Sequence, residues 1–351
     1  MKYVDLFAGI GGFHYGIEQA YRAIQESQQE IWQHETSIRH QGNIHLPISL
    51  DGDGRGIRPV CVYSNEWDKY ANSVYRRHYG ECDNRDIRTV KVSEIPDFDL
   101  LCGGFPCQAF SVAGKRGGFD DTRGTLFFEV ARILKEKQPR LLVLENVKGL
   151  LSHDHGRTFK VILTTLTELG YDVQWQVLNS KNFGVPQNRE RVYIVGHLRG
   201  TPRPQVFPIT NPDRQDTKTR THEQSGTEKF IKTRHLSQNG TLISDSITLQ
   251  ATELPHIIQK SPDWRSEGKL REFTKNSPTI RAEMGDNHPM VTEGAKIRRL
   301  TPTECMRLQG FPDDWCDLGV SGETISDSQK YKMAGNAVTT NVVTEVVRKL
   351  L

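Results

Sequence analysis

The chain has no apolar run approaching the roughly 20 residues that cross a bilayer, and only 36% of its residues are hydrophobic. A membrane protein is therefore not expected. It also lacks paired cysteines: the six, at 61, 82, 102, 107, 305 and 316, form no C-x-x-C pair, so neither a metal site nor a disulfide framework is expected. A secretory leader is not expected either, because Met1-Lys2-Tyr3-Val4-Asp5-Leu6-Phe7 sets an acid inside its first apolar run and passes straight into glycines. Reduced thiols and the absence of a leader predict a cytoplasmic protein. Strong net charge is absent as well, since 46 Lys and Arg against 43 Asp and Glu leave +3. Its distribution says more, because residues 197–299 hold 17 Lys and Arg against 12 Asp and Glu. An ordinary solvated surface accounts for so small an excess as readily as a polyanionic partner does.

At 351 residues the chain is long enough for one large domain and a smaller one. Tyr3 to Phe7 reads as a strand, Ala8-Gly9-Ile10-Gly11-Gly12 as a glycine turn, and Phe13 onward as a helix with Ile17, Ala20, Tyr21 and Ile24 at helical spacing. Strand, glycine loop and helix make a nucleotide-binding unit, in which unpaired N–H groups face the ligand. A second strand, Val60 to Ser64, ends in Asn65-Glu66-Trp67, placing a carboxylate where it reaches ribose hydroxyls. The separation from the glycine turn far exceeds the usual distance of about 20 residues. Residues 26–58 are polar and read as an insertion or long loop. Further strands at 99–102, 141–144, 173–178 and 192–195 alternate with helical patterns at Leu126 to Lys137 and Phe159 to Leu169. Such alternation predicts an α/β fold with a mostly parallel sheet covered on both faces.

From about Leu198 the texture turns to Thr, Ser, Pro, Asn and Asp with short strand-like runs, which marks a domain boundary. The expected division is 1–196, then a second domain over 197–324, then 325–351 returning to the first. Thr301, Pro302 and Glu304 form a capping box opening a helix that Gly310 stops. Gly335-Asn336-Ala337-Val338 leads into a final amphipathic helix. The sharpest feature is Gly103-Gly104-Phe105-Pro106-Cys107-Gln108, a thiol at the mouth of a loop beyond the buried strand Leu100-Leu101-Cys102. Open α/β sheets keep their chemistry at such strand ends, so Cys107 is a candidate nucleophile, although an isolated cysteine in a turn is more often inert.

Taken in order, Phe7-Ala8-Gly9-Ile10-Gly11-Gly12, Gly104-Phe105-Pro106-Cys107-Gln108, Glu145-Asn146-Val147, Gln187-Asn188-Arg189-Glu190-Arg191, the Arg298 to Trp315 run and Gly335-Asn336-Ala337-Val338 resemble the DNA (cytosine-5)-methyltransferases. The resemblance covers nearly all of 1–196 and 298–351. It implies an S-adenosylmethionine-dependent, Rossmann-like catalytic domain with a smaller target-recognition domain, and it implies methylation of carbon 5 of a cytosine in a specific duplex sequence. Carbon 5 is a poor nucleophile, and thiolate addition at carbon 6 makes the ring an enamine able to attack a methyl donor. In the family pattern Cys107 is that nucleophile, Glu145 acts at ring nitrogen N3, and Arg191 contacts the base carbonyl and neighbouring phosphate. Arg189 or Arg191 supplies positive charge to the thiolate.

The same resemblance implies S-adenosylmethionine as donor, held by Phe7, Gly9, Ile10 and Gly11, with Glu66 on the ribose and Trp67 on the adenine. Asp86 and Ile87 close the adenine pocket, and Pro106, Leu126, Asn336 and Val338 complete it. Asp86 as a helix cap and Trp67 as a core aromatic are the plainer alternatives. The target base has to flip out of the duplex, at a cost of a few kcal/mol. Residues 108–123 are the loop that closes behind it, with Ser111, Lys115 and Arg116 toward phosphates. Thr279 and Arg281 approach the target bases, Arg281 either reading guanine or holding phosphate. Double-stranded DNA is the expected partner, a restriction endonuclease the functional companion, and a monomer the expected state. A dinucleotide-dependent oxidoreductase leaves Cys107, Glu145 and the arginine pair unexplained; an RNA cytosine methyltransferase of similar build is the nearer alternative, and the long variable segment favours DNA.

Overall fold

The computed structural model describes residues 1–38, 58–106, 126–202, 204–209, 257–260, 270–273, 277–278, 290–293 and 296–351. Cys107, Ser111, Lys115, Arg116, Thr279 and Arg281 lie outside these residues. Six strands make one sheet in the order β2 (Val60–Asn65), β1 (Lys2–Leu6), β3 (Leu100–Gly104), β4 (Leu141–Val147), β7 (Glu190–Leu198) and β5 (Tyr171–Asn179). The first four pair in parallel, and β7 runs antiparallel to both β4 and β5. Parallel strands covered on both faces read as continuous apolar runs, which is why Leu100-Leu101-Cys102 and Leu141-Leu142-Val143-Leu144 are buried throughout. The order reverses between β1 and β3, so the crevice beyond their carboxyl ends is a topological switch point.

Two layers of helices cover the sheet. On one face α1 (Gly12–Ile38) and α7 (Thr340–Leu350) bury Phe13, Ile17, Val342, Val343, Val346 and Val347. On the other, α3 (Leu126–Lys137) and α4 (Arg157–Glu168) bury Phe127, Val130, Ile133, Leu134, Ile162 and Leu166. The chain expected to leave its helix at Glu26 remains helical to Ile38. Gln25-Glu26-Ser27-Gln28-Gln29-Glu30 holds no Gly or Pro and mostly strong helix formers, so propensity carries the helix onward. Residues 39–57 lie outside the described residues.

The third core cluster joins distant parts of the chain. Ile10 and, from α2 (Lys69–Tyr79), Ala71 and Val74 pack with Leu300, Cys305, Met306, Phe311 and Trp315. Here α5 (Pro302–Arg307) opens with the expected capping box, Thr301 Oγ1 accepting from Glu304 N while Glu304 accepts from Thr301 N. Residues 300–316, expected to belong with the second domain, thus share a core with the glycine turn; Trp315 Nε1 donates to Ile10 O at 2.9 Å. A separate antiparallel sheet runs β12 (Lys296–Arg299), β11 (Met290–Glu293), β8 (Ile257–Lys260), β9 (Leu270–Phe273). The two-residue strands β6 (Gln187–Asn188) and β10 (Ser277–Pro278) pair in parallel, joining the variable segment to the block before β7. No helix among the described residues is long and apolar enough to cross a membrane.

Close approach of α1 and α7 depends on Gly16. A Cβ there would stand 2.6 Å from Val343 Cγ1 and 3.1 Å from the Thr340 carbonyl oxygen. Gly16→Val is expected to cost about 1–3 kcal/mol through overpacking, read as a lower urea midpoint at unchanged slope.

Candidate active site

A cleft of about 450 Å³ opens at the switch point, within the usual range for small-molecule sites. Its floor is the turn after β1. Phe7 sits there at φ 56°, a backbone region that bulky residues rarely occupy and that clusters at functional sites. Phe7, Gly9 and Ile10 line the cleft from this turn, Glu66 and Trp67 from the end of β2, and Asp86 and Ile87 from the loop beyond α2. Pro106 and Leu126 flank the segment that carries Cys107, and Asn336 enters from α6 (Asp327–Asn336). Gly11 and Val338, expected in the same lining, are absent from it. Gly11 turns at φ 89° against Tyr79, whose Cε2 would stand 2.5 Å from a Cβ at that position. Val338 is buried with Phe13, Val342 and Val343 under the sheet instead.

Glu66 is 9% exposed, and each of its carboxylate oxygens accepts from a backbone N–H: Oε2 from Gly9 and Oε1 from Asp68, both at 2.8 Å. Burial raises its pKa, and those two N–H groups oppose the rise. Trp67 beside it is 72% exposed, so it is not a core aromatic. Asp86 takes up the plainer alternative as well as lining the cleft: it caps a short 3₁₀ turn by accepting from Arg88 N and pairs with the Arg88 guanidinium. That guanidinium holds the Asp86 carboxyl below its usual range. Carboxylate acceptors with free lone pairs beside exposed aromatic faces suit an adenosine, whose hydroxyls and amine donate and whose base stacks.

At the opposite end of the cleft stands Glu145, the fifth residue of β4 rather than a strand tip, because β4 continues to Val147. Its register partners are Gly104 on β3 and Tyr193 on β7. A Cβ at Gly104 would lie 3.2 Å from Glu145 Oε2, so the glycine leaves room for the carboxylate. Glu145 is 8% exposed, and its Oε1 lies 3.0 Å from Arg191 Nε. Burial raises the Glu145 pKa, with Arg191 and then Arg189 opposing. A carboxyl whose pKa is raised by burial is a candidate hydrogen donor.

Arg189 is one of the two arginines expected to lend charge to the Cys107 thiolate, and Cys107 lies outside the described residues. Its guanidinium is buried and donates to the carbonyls of Gly335 at 3.0 Å and Ala337 at 2.7 Å, the residues on either side of Asn336. Burial and neighbouring Arg191 lower its pKa to about 9. It reaches the cleft, but its bonds to these two carbonyls fix the turn that presents Asn336. Asn146 is a backbone brace of the same kind. Its amide donates to Phe105 O at 2.8 Å and its Oδ1 accepts from Val147 N at 2.8 Å. Among the cleft residues that escaped the motif reading, Asp68 and Lys332 form an ion pair at 2.7 Å. Signals for both were present, since Asp68 follows Glu66-Trp67 and Lys332 lies one helical turn before Asn336.

A mostly parallel sheet with a cleft at its switch point that suits an adenosine, and a buried carboxylate–arginine pair in the same cleft, is the architecture of a Rossmann-like nucleotide-cofactor enzyme. The chain belongs to the C-5 cytosine-specific DNA methylase family, whose model it matches over residues 1–351. It is similar to the type II methyltransferases M.SsoII of Shigella sonnei (36% identity, covering 100% of this chain and 80% of that one) and M.NgoBI of Neisseria gonorrhoeae (38%; 99% and 92%). M.HhaI of Haemophilus parahaemolyticus is 35% identical, with 98% and 92% covered. Among solved structures, the S. pombe Dnmt2 methyltransferase shares the fold, with a TM-score of 0.61 at 16% identity over 100% of this chain and 98% of that one. The activity is thus methylation of cytosine carbon 5 in DNA, with S-adenosylmethionine as methyl donor.

The Asn146 bonds generate a test. Asn146→Ala strands the buried Phe105 carbonyl and is expected to destabilise the fold by about 1–3 kcal/mol. Because Phe105 lies two residues before Cys107, methyl transfer is expected to fall while donor affinity, read by calorimetry, stays within a few-fold.

Proposed function

We propose that this enzyme methylates one cytosine within a specific duplex sequence by covalent catalysis, with Cys107 as nucleophile. The observation that carries the reading is the Glu145–Arg191 pair at 3.0 Å in the same cleft as Glu66 and Trp67. The cleft residues fit S-adenosylmethionine, which when bound supplies an electrophilic methyl group. Glu66 accepts from the ribose hydroxyls, Trp67 and Phe7 cover the adenine, Asp86 and Ile87 meet its edge, and Asn336 closes the far wall. The Cys107 thiolate forms the bond to carbon 6 of the flipped cytosine. Glu145 supplies a hydrogen at N3 as electron density arrives there, and Arg191 both orients that carboxyl and meets the base carbonyl. Carbon 5 takes the methyl group as the bond from that methyl to the donor sulfur breaks. The carbon 5 proton passes to a water molecule, and its bonding electrons re-form the ring double bond and expel the Cys107 thiolate while the N3 hydrogen returns to Glu145.

Target reading falls to the variable segment, whose described strands end at Arg299 and which β10 ties to β6; packing of residues 300–316 against Ile10, Ala71 and Val74 favours ending that domain near 299. Within it Thr279 and Arg281 face the bases, while Ser111, Lys115 and Arg116 of the 108–123 loop hold phosphates. Similarity to type II methyltransferases supports a role in protecting host DNA from a companion restriction endonuclease, and we infer a cytoplasmic, monomeric enzyme.

Duplex DNA carrying 5-fluorocytosine at the target keeps the adduct from resolving. Wild type is expected to give a denaturation-resistant complex and Cys107→Ala none; an adduct that survives the substitution removes Cys107 from this role. Glu145→Gln is expected to slow methyl transfer by on the order of 10² with donor binding retained, and unchanged turnover would eliminate the N3 assignment.

A further inference from the structure

The acids lining the cleft are matched to cations in a revealing way. Asp86 pairs with Arg88, Glu145 with Arg191, and Asp68 with Lys332. Glu66 alone among these acids has no ion pair within the described residues and is held by the backbone N–H groups of Gly9 and Asp68. Its geometry therefore depends on where residue 68 is placed. Asp68 is fixed from two directions. Oδ1 caps α2 by accepting from Tyr70 N and Ala71 N at 3.0 and 3.1 Å. Oδ2 accepts from Lys332 Nζ at 2.7 Å, across 264 residues of chain.

Lys332 stands on α6 with Met333 and Asn336, all of them in the cleft lining. The pair thus ties the Glu66-Trp67-Asp68 turn to the opposite wall. We propose that Lys332 is a positioning residue for the donor: through its bond to Asp68 it sets the Asp68 N–H that holds Glu66 and fixes the separation of the two walls that grip the adenosine. This rests on the assignment of the donor to this cleft. The Asp68 and Gly9 N–H groups counter the burial of Glu66 most, and the Lys332 charge adds to them, so its loss removes the tether and a smaller part of the compensation for a carboxylate that accepts ribose hydroxyls. The lysine is half exposed, with 46% of its side chain accessible, and Asp68 24%, which sets a modest scale for the effect.

Calorimetric titration with S-adenosylmethionine, together with separate KM values for donor and DNA, tests the proposal. Lys332→Met is expected to raise the donor Kd and KM by about 3- to 10-fold, with DNA KM and the thermal midpoint nearly unchanged. Lys332→Arg, which keeps the charge and the reach, is expected to stay within about 2-fold of wild type. Asp68→Asn keeps a capping side chain but loses the charge, and combined with Lys332→Met it is expected to add little to either single change, as coupled partners do. Unchanged donor affinity in Lys332→Met, failure of Lys332→Arg to preserve it, or full additivity in the double variant would overturn the proposal. So would a fall in thermal midpoint with donor and DNA constants worsening together. Wild type that binds no donor would instead remove the donor assignment on which the proposal stands.

Discussion

Glu145 and Arg191 are each nearly buried, and neither is tolerable there without the other. An ion in a protein interior forfeits hydration worth several kcal/mol, and a partner at hydrogen-bonding distance offsets that only when the backbone holds both in place. Here the backbone does so through one topological choice, the antiparallel insertion of β7 between β4 and β5. With β7 reversed, Arg191 enters the sheet opposite Val147 and reaches back to Glu145 two residues along β4. A parallel strand in that place would carry its beginning to the other end of the sheet, away from the cleft.

Arg189, two residues earlier, has the complementary role. Its bonds run to carbonyls 146 and 148 residues away in sequence, so the segment that brings Arg191 to Glu145 also fixes the Gly335–Ala337 turn around Asn336. Ser180, Thr339 and Gln309 extend the same buried hydrogen-bond chain, with Ser180 Oγ 2.8 Å and Gln309 Oε1 2.9 Å from Thr339 Oγ1. A buried polar network of this kind favours one arrangement of its members, since a slip breaks these bonds and leaves buried donors and acceptors unpaired. Relative placement of the two halves of the cleft is in this way set by hydrogen bonds rather than by shape alone.

Much of this was legible in the sequence, for physical reasons. Buried parallel strands have to be apolar throughout, so β3 and β4 announced themselves, and the Thr301-Pro302-Thr303-Glu304 cap carries its own geometry in its residue types. Propensity could have extended α1 to Ile38, but polarity there suggested a loop, because an exposed helix and a solvated loop share a composition. Gly11 and Val338 were assigned by motif membership, which locates a turn without saying which side of it a residue faces. The Asp68–Lys332 and Arg189–carbonyl bonds were invisible for a stronger reason: they join chain segments whose proximity only the folded topology creates.

That topology has a consequence for how the site comes into being. One cleft wall is built from the first hundred residues, the other from α6 near the end of the chain, and α7 then packs across α1 to hold it there. Such contacts span nearly the full sequence, and loop closure of that length precedes any stabilisation they bring. Before α6 and α7 dock, the turn bearing Glu66 and Trp67 faces no opposing wall, and the Ile10 side of the glycine turn lacks Trp315 and Phe311. The cleft therefore cannot be complete on the strand, glycine turn and helix alone. Completion of the core and completion of the cleft are the same event, so any donor affinity is a property of the docked chain ends as much as of the glycine loop.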